Sequence, residues 1–468
     1  MHEVPVVPRS ADRFDELLAA GALRRYRDAV GRGAARMDGR TLWHVNSAAE
    51  GGGVAELLGS SLGYLRHGGI DARRLVIEGD PSFFAITKRI HNRLHGDLGD
   101  GGALGADERL AYDRASAYSL KIATGLVRPG DVVVVHDPQP LGLVPGLVTH
   151  GATVIWTCHV GVDHPNSIAR SAWDFLRPDL RAASAYTFTR RSYVWEGLDD
   201  RRVALIPPCI DGLSLKNVDL EPSRREAILG AAGILEPSDP GVPSFVRQDG
   251  TDARVTRRAE MVQEAPVPTG ERLVLQVSRW DRLKDPVGVV EGFAESGDAD
   301  VGHLMLAGPA PSSVADDPEA EQVLGETRGA WDALRPHVRD RVHLANIPTE
   351  DVEENAVIVN ALQRRADVVV QKSLAEGFGL TVTEAMWKAR PVVASRVGGI
   401  QDQITDGENG RLVDPRDLTA FGNAVRWLLD DAARAAGLAA AARERVRERY
   451  LVPDYLVAYL ELIERIDR

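Results

Sequence analysis

From Asp367 to Ala394 the chain passes through an apolar segment, a glycine turn, a helical segment and a second apolar segment without a break. Asp367-Val368-Val369-Val370-Gln371 is rich in β-branched residues, and Glu376-Gly377-Phe378-Gly379 is the turn. Thr381 to Lys388 reads as helix, and Pro391-Val392-Val393-Ala394 returns to strand. Strand, turn, helix, strand is a βαβ unit, which commits the segment to a parallel sheet with helices on its faces. The turn also carries chemistry. A helix N-terminus presents unpaired N–H groups and a positive dipole end, a seat for phosphate. Glu376 and Glu384, with seven residues between them, can accept hydrogen bonds from sugar hydroxyls. A nucleotide sugar needs both devices. An ordinary βα turn with surface glutamates would account for a lone Gly-x-Gly. Here the motif runs over eleven residues, Glu376 to Met386, and has companions upstream.

Those companions begin at Arg272-Leu273-Val274-Leu275-Gln276-Val277, a strand followed by Ser278-Arg279-Trp280-Asp281-Arg282-Leu283-Lys284. A guanidinium and an ammonium just beyond a strand end suit a diphosphate, Arg279 as a planar fork and Lys284 as a point charge. The alternative is a solvated basic turn; the position favours phosphate. His303 to Gly308 and Val342 to Asn346 read as further strands, and Val397-Gly398-Gly399-Ile400 as one more glycine turn. Residues 417–449 and 454–466 are helical. Residues 236–270, rich in Pro, Gly, Asp and charge, are expected to form a long surface excursion, partly disordered.

The first half repeats the theme. Residues 13–37 read as an amphipathic helix, with Phe14, Leu17, Leu18, Leu23, Tyr26 and Val30 near helical spacing. Arg40 to Ser47 is a buried strand feeding Gly51-Gly52-Gly53 and a helix from Val54 to Leu65. This is not Gly-x-Gly-x-x-Gly, but three glycines allow close backbone approach to a ligand; a flexible turn explains them equally well when they are taken alone. Arg73 to Ile77 is a strand. Residues 82–95 form a helix with His91, Asn92 and His95, where a polar face or a substrate contact is a better reading than metal binding. Residues 97–107 read as a mobile loop. Val132 to Val135 is a strand buried on both faces, with His136-Asp137-Pro138-Gln139-Pro140 at its carboxyl end, where open α/β sheets place ligands. Thr153 to Thr157 ends in Cys158-His159. His44, His136 and His159 thus lie at or near strand ends and, with the glycine loop, suggest a binding cleft. A βα repeat is expected over 185–198, and Val203 to Pro208 leads out of the first domain.

At 468 residues the chain is long enough for two domains. Its formal net charge of −12 disfavours nucleic acid as a partner, since that binding needs a basic face. Cys158 and Cys209 lack metal-ligand spacing; two buried thiols in a reducing compartment are a better reading than a disulfide. The segment Met1 to Arg13 has no apolar core, and no run reaches the ~18 apolar residues of a membrane span. A soluble cytoplasmic protein, not bound to membrane, is expected.

Ser278-Arg279 with Lys284, and Glu376-Gly377-Phe378-Gly379-Leu380 with Glu384, resemble the retaining GT-B glycosyltransferases of family 4. His44-Val45-Asn46-Ser47, Gly51 to Glu56, Val135 to Pro140 and Gly379 to Lys388 are similar to the trehalose glycosyltransferring synthases within that family. The resemblance covers nearly the whole chain apart from the 236–270 excursion. It implies an α/β fold of two Rossmann-like doubly wound domains facing a cleft. Residues 1–208 would form the acceptor domain, with helix 451–468 packing back on it, and 209–450 the nucleotide-sugar domain. It implies transfer of glucose from NDP-glucose to glucose, reversibly forming α,α-trehalose. Arg279 and Lys284 would hold the diphosphate, and Glu376 the donor glucose, helped by the backbone of Gly377, Phe378, Gly379 and Leu380. Glu384 would accept from the ribose, and Asn346 would lie near the base. Gly52 and Gly53 would approach phosphate and sugar across the cleft. His159 would sit near the reacting centre, with Asn46, His136, Asp137 and Gln139 at the acceptor. The family often has an acidic residue two positions after this histidine; here Gly161 stands there and Asp163 follows, which leaves acceptor contacts in that loop open. No Asp-x-Asp pair lies in these strings. A catalytic metal is therefore not required, although Mg²⁺ can accompany the nucleotide. A homodimer is the default assembly. ADP against UDP stays open. A trehalose phosphorylase, a family-4 transferase with another acceptor, and a non-catalytic nucleotide-sugar binder remain as alternatives.

Overall fold

The computed structural model describes residues 1–49, 52–236, 241–295, 301–311 and 319–467. Two compact units emerge: Met1–Asp211 with Tyr450–Arg468, and Gly212–Arg449.

The first unit is built on β1 (His2–Val4), β2 (Leu42–Asn46), β3 (Ala72–Val76), β4 (Val132–His136), β5 (Thr153–Cys158), β6 (Ala185–Phe188) and β7 (Val203–Leu205). Among the described residues these form one sheet in the order β1-β3-β2-β4-β5-β6-β7. β1 is antiparallel to β3 and all other pairings are parallel. Valines 132–135 are fully enclosed, as an unalternating β-branched run requires. Chain order reverses between β2 and β4, which creates a topological switch point there. The helix Val452–Ile466 returns to this unit and packs on Ala20–Arg36. The approach is close enough that a Cβ on Gly33 would fall 2.8 Å from Leu460 Cδ2. Tyr459, on that returning helix, hydrogen-bonds Thr157 at 2.7 Å and Thr187 at 3.2 Å beneath β5 and β6.

The second unit contains β8 (Ser244–Val246), β9 (Asp252–Arg254), β10 (Glu260–Val262), β11 (Leu273–Val277), β12 (His303–Pro309), β13 (Val342–Ile347), β14 (Val368–Gln371), β15 (Val392–Ser395) and β16 (Arg411–Val413). Its main sheet has the order β10-β13-β12-β11-β14-β15-β16, parallel except for β10. The switch point falls between β11 and β14. Each unit is thus a Rossmann-like doubly wound sheet.

Four expectations are corrected. Residues 13–37 divide into a 3₁₀ turn, Asp12–Glu16, and a helix, Ala20–Arg36. The 97–107 loop closes at Gly105, and an unanticipated helix follows at Ala106–Ala123. After β6 the chain makes a 3₁₀ turn at Arg191–Tyr193 and no α-helix, so 185–198 is not a βα repeat. The described part of the 236–270 excursion is ordered into the fold. β8 and β9 form a hairpin, β10 extends the main sheet, and Phe245, Val255 and Val267 are buried. Residues 237–240 lie outside the described residues.

Candidate active site

In the second unit the chemistry gathers at the β11/β14 switch point. The turn after β11 carries Arg279 and a 3₁₀ segment, Arg282–Lys284, capped by the Asp281 carboxylate accepting from the Leu283 N–H. The turn after β14 carries Glu376. Because β11 and β14 are hydrogen-bonded neighbours, the two turns meet. Leu374 N donates to Leu283 O at 2.8 Å, and Lys284 Nζ reaches Glu376 Oε2 at 2.5 Å. Ser373 Oγ donates to the same carboxylate oxygen at 3.3 Å. Gln276 ties the two turns from below, donating to Lys284 O at 3.0 Å and accepting from Lys372 N at 3.1 Å. The buried Lys372 ammonium pairs with Asp285, which sits at φ 51. Arg279 pairs with Asp281 at 3.3 Å, and its side chain is 42% exposed.

The Glu376 turn enters helix Leu380–Trp387 through Gly379 at φ 89, a left-handed geometry that favours glycine. Gly399, from the next turn, lies against it: its N–H donates to Gly377 O at 3.1 Å, and a Cβ there would fall 2.7 Å from Phe378 Cα. Phe378 is buried, and Gln403 Nε2 donates to its carbonyl at 2.6 Å. The turn is therefore held rigidly by its neighbour, as a phosphate or sugar seat needs. Asn346 is the penultimate residue of β13; among the described residues its buried Oδ1 has no hydrogen-bond partner. Glu384 lies inward from the turn, almost fully buried. Lys216 Nζ stands at 2.8 Å from Oε1, and Gln363 Nε2 donates to Oε2 at 3.3 Å. Sequence reasoning missed Lys216, Lys372 and Gln276; no local spacing marks any of them.

In the first unit three imidazoles step across one face of the sheet at the β2/β4 switch point. His44 Nδ1 and His136 Nε2 are 2.9 Å apart, and His136 Nδ1 and His159 Nε2 are 3.2 Å apart. Burial pushes the His44 ring down to about 3, with the Arg74 guanidinium adding to the effect. Burial likewise lowers His136, helped by the two flanking rings and Arg74. It lowers His159 too, against an opposing pull from Asp137. Asp137 takes a left-handed backbone, φ 63, which turns the chain at the end of β4 and lets its Oδ1 accept from His159 N at 2.8 Å. Burial raises its carboxyl above the ordinary range. Asn46 is engaged by Arg74, whose Nε donates to Asn46 Oδ1 at 3.0 Å, and by Ala48 O, which accepts from Asn46 Nδ2 at 2.6 Å. The buried Oε1 of Gln139 lacks a partner among the described residues. Gly52, φ 106, precedes helix Gly53–His67 directly after β2; Gly51 lies outside the described residues. Cys158 and Cys209 are both buried and unbridged. Among the described residues no cluster of three His, Cys, Asp or Glu is placed to hold a metal, and no helix is long and apolar enough to cross a membrane.

Residues 44–195 match the family described as "Trehalose synthase, N-terminal domain", and residues 352–445 match "Glycosyl transferases group 1". The chain is 34% identical to the trehalose synthase of Pyrococcus horikoshii over 434 residues, 92% of each chain. It is 36% identical to the trehalose synthase of Rubrobacter xylanophilus over 443 residues, again 92% of each. Among solved structures it is similar to a UDP-forming α,α-trehalose-phosphate synthase from Burkholderia xenovorans, in complex with glucose-6-phosphate. The TM-score is 0.66 at 14% identity, covering 92% of this chain and 100% of that one. At that identity the likeness speaks to the fold.

Proposed function

Since the chain belongs to the trehalose synthase family of glycosyltransferases, we propose that it transfers glucose from a nucleoside diphosphate glucose to free glucose, reversibly forming α,α-trehalose and NDP. The observation that carries this reading is the meeting of Lys284 and Glu376 across the β11/β14 switch point, with Arg279 on the same turn. One site thereby offers cations for a diphosphate beside a carboxylate for sugar hydroxyls.

In this reading Arg279 and Lys284 hold the diphosphate and offset the charge that grows on it as the bond to the anomeric carbon breaks. Glu376 accepts from hydroxyls of the donor glucose, and the backbone of Gly377, Phe378, Gly379 and Leu380 seats the same group. Asn346 offers its unpartnered oxygen to the base, and Glu384 takes the ribose. In the first unit Gly52 and Gly53 supply close backbone approach, His159 sits at the reacting centre, and Asn46, Asp137 and Gln139 serve the acceptor; His136, expected there too, has both ring nitrogens against other imidazoles and makes no direct contact with it. The acceptor hydroxyl attacks the face the diphosphate leaves, and the departing phosphate oxygen takes the hydroxyl proton, so the α configuration is retained. Glu376 and Glu384 are not assigned a glycosidase pair of roles. The side-chain cations do the work of a metal, so turnover is expected to persist in EDTA, with Mg²⁺ at most accompanying the nucleotide.

Two unbridged thiols favour a cytoplasmic location, and a homodimer is the default assembly, open to light scattering. The deciding experiment incubates purified protein with trehalose and ADP, UDP or phosphate. NDP-glucose supports the synthase and ranks the two nucleotides. Glucose 1-phosphate would make it a phosphorylase, and no product would leave a sugar-nucleotide binder.

A further inference from the structure

His136 is enclosed between two other imidazoles. Its Nε2 meets His44 Nδ1 at 2.9 Å and its Nδ1 meets His159 Nε2 at 3.2 Å, so neither ring nitrogen is left for a ligand. The rings of His136 and His159 are nearly parallel, at 2°. His44 and His136 are buried, whereas His159 is partly exposed.

A neutral imidazole has one N–H and one lone pair. In a chain of three neutral rings linked nitrogen to nitrogen, each link needs one donor, so the polarity of the first link dictates the second. Two arrangements exist. Either His44 donates to His136 and His136 to His159, or both links run the other way. Charges at the two ends favour the first. Asp137 Oδ1 accepts from the His159 backbone N–H at 2.8 Å, which puts its carboxylate on the backbone side of that ring, where Nδ1 lies, whereas the Arg74 guanidinium acts on His44 and His136 and not on His159. A cation favours the lone-pair end of an imidazole and a carboxylate the N–H end. With His44 donating, His159 receives a proton-bearing partner at Nε2 and must carry its own hydrogen on Nδ1.

We propose that His44 and His136 are positioning residues. They form a relay of neutral imidazoles that locks His159 as its Nδ1–H tautomer and so makes it a fixed hydrogen-bond donor to a hydroxyl of the acceptor sugar. The identity of that hydroxyl's owner rests on the function proposed above; the tautomer does not. His136 then acts on the acceptor only through His159.

The test is a long-range ¹H–¹⁵N spectrum of the full chain labelled on histidine, at pH 7, with His159 identified by substitution. His159 is expected to show a protonated Nδ1 and an unprotonated Nε2. His136→Phe removes both links and should mix the His159 tautomers and lower kcat about tenfold, the scale of one hydrogen bond. His136→Gln can accept from His44 and donate to His159, and should restore the tautomer and most of kcat. A His159 carrying its hydrogen on Nε2, or charged at pH 7, in the unsubstituted protein overturns the relay. So does a His136→Phe protein with an unchanged His159 spectrum. The expected tautomer in a protein that makes no trehalose would sink the function and keep the relay.

Discussion

Lys216 Nζ stands 2.8 Å from Oε1 of Glu384, a carboxylate that is only 1% exposed. Gln363 covers the other oxygen and is itself held by the buried Lys388, whose Nζ donates to Gln363 Oε1 at 2.7 Å and to Asn217 Oδ1 at 2.9 Å. The segment before helix Pro222–Ala231 is thereby pinned onto the same helix that opens at the Glu376 turn. If Glu384 accepts from a ribose, the ribose has to reach a carboxylate that Lys216 and Gln363 already cover, and exchange with Lys216 at Oε1 is the expected route.

Lys216→Met tests that exchange. It leaves a buried carboxylate without its cation, a change that costs about 3–5 kcal/mol in comparable cases, so the melting temperature should fall clearly. Saturating NDP should then raise it by more than in the wild type, because ribose hydroxyls supply the missing partners. Thermal melts of both proteins with and without NDP read the effect. An equal or smaller NDP shift in the variant would assign the pair to structure alone.

Arg279→Ala and Lys284→Ala should each lower turnover about 10²–10³-fold, the loss typical of one preorganised charge stabiliser. Their stabilities should differ. Arg279 is 42% exposed, so its removal should lower the melting temperature less than the removal of Lys284 does. Lys284 is 19% exposed and closes on Glu376, so its removal should lower it. Steady-state rates beside melts decide; normal turnover in both variants would remove the diphosphate assignment.

Much of the two sheets is legible in the chain. Val132–Val135 and Val368–Val370 are unalternating β-branched runs, which a parallel strand buried on both faces explains directly. Helix Ala106–Ala123 is hidden for a physical reason: its buried stripe is Tyr112, Ser116, Ser119 and Ala123, small or hydroxyl-bearing residues with little apolar contrast against the charged face. β10 is a three-residue edge strand, Glu260–Val262, too short to show a period. Lys284 and Glu376 are legible as neighbours of strand ends, but their contact follows from strand order, which local pattern does not encode. The same holds for Lys216, whose partner is far along the chain, and for the three imidazoles, which become a relay only once β2, β4 and β5 lie side by side.

Glu376→Gln keeps size and one acceptor oxygen but removes the charge that faces Lys284. Hydrogen bonds to a charged acceptor contribute roughly 1.5–3 kcal/mol each, so turnover should fall by at least tenfold. NDP affinity should change little, since Arg279 and Lys284 remain. Calorimetric NDP titration beside initial rates separates the two. Loss of NDP binding with normal turnover per bound donor would mean that Glu376 serves the nucleotide and not the glucose.

The second unit contains its own histidine pair, His343 buried and His303 partly exposed, which makes stability depend on pH. His343 Nε2 lies 2.9 Å from His303 Nδ1, and its Nδ1 lies 2.9 Å from Gln263 Oε1 on the strand-bearing part of the 236–270 segment. Burial, with His303 adding, holds the His343 ring at about 3, against an ordinary 6.5. The folded chain therefore keeps this ring neutral where the unfolded chain would protonate it. The unfolded state binds the extra proton between about pH 6.5 and 3, so the contribution is complete above 6.5 and is lost as pH falls through that window. Each unit of pH in the window removes about 1.4 kcal/mol for such a ring. Going from pH 7.5 to 5, His343 alone should account for about 2 kcal/mol. His343→Asn should be less stable than the wild type at pH 7.5, through its lost contacts, yet lose about 2 kcal/mol less on acidification. Urea unfolding of both proteins at the two pH values measures the difference directly. Parallel losses in the two proteins would place the titration elsewhere, with His44 and its neighbours the first rings to substitute next.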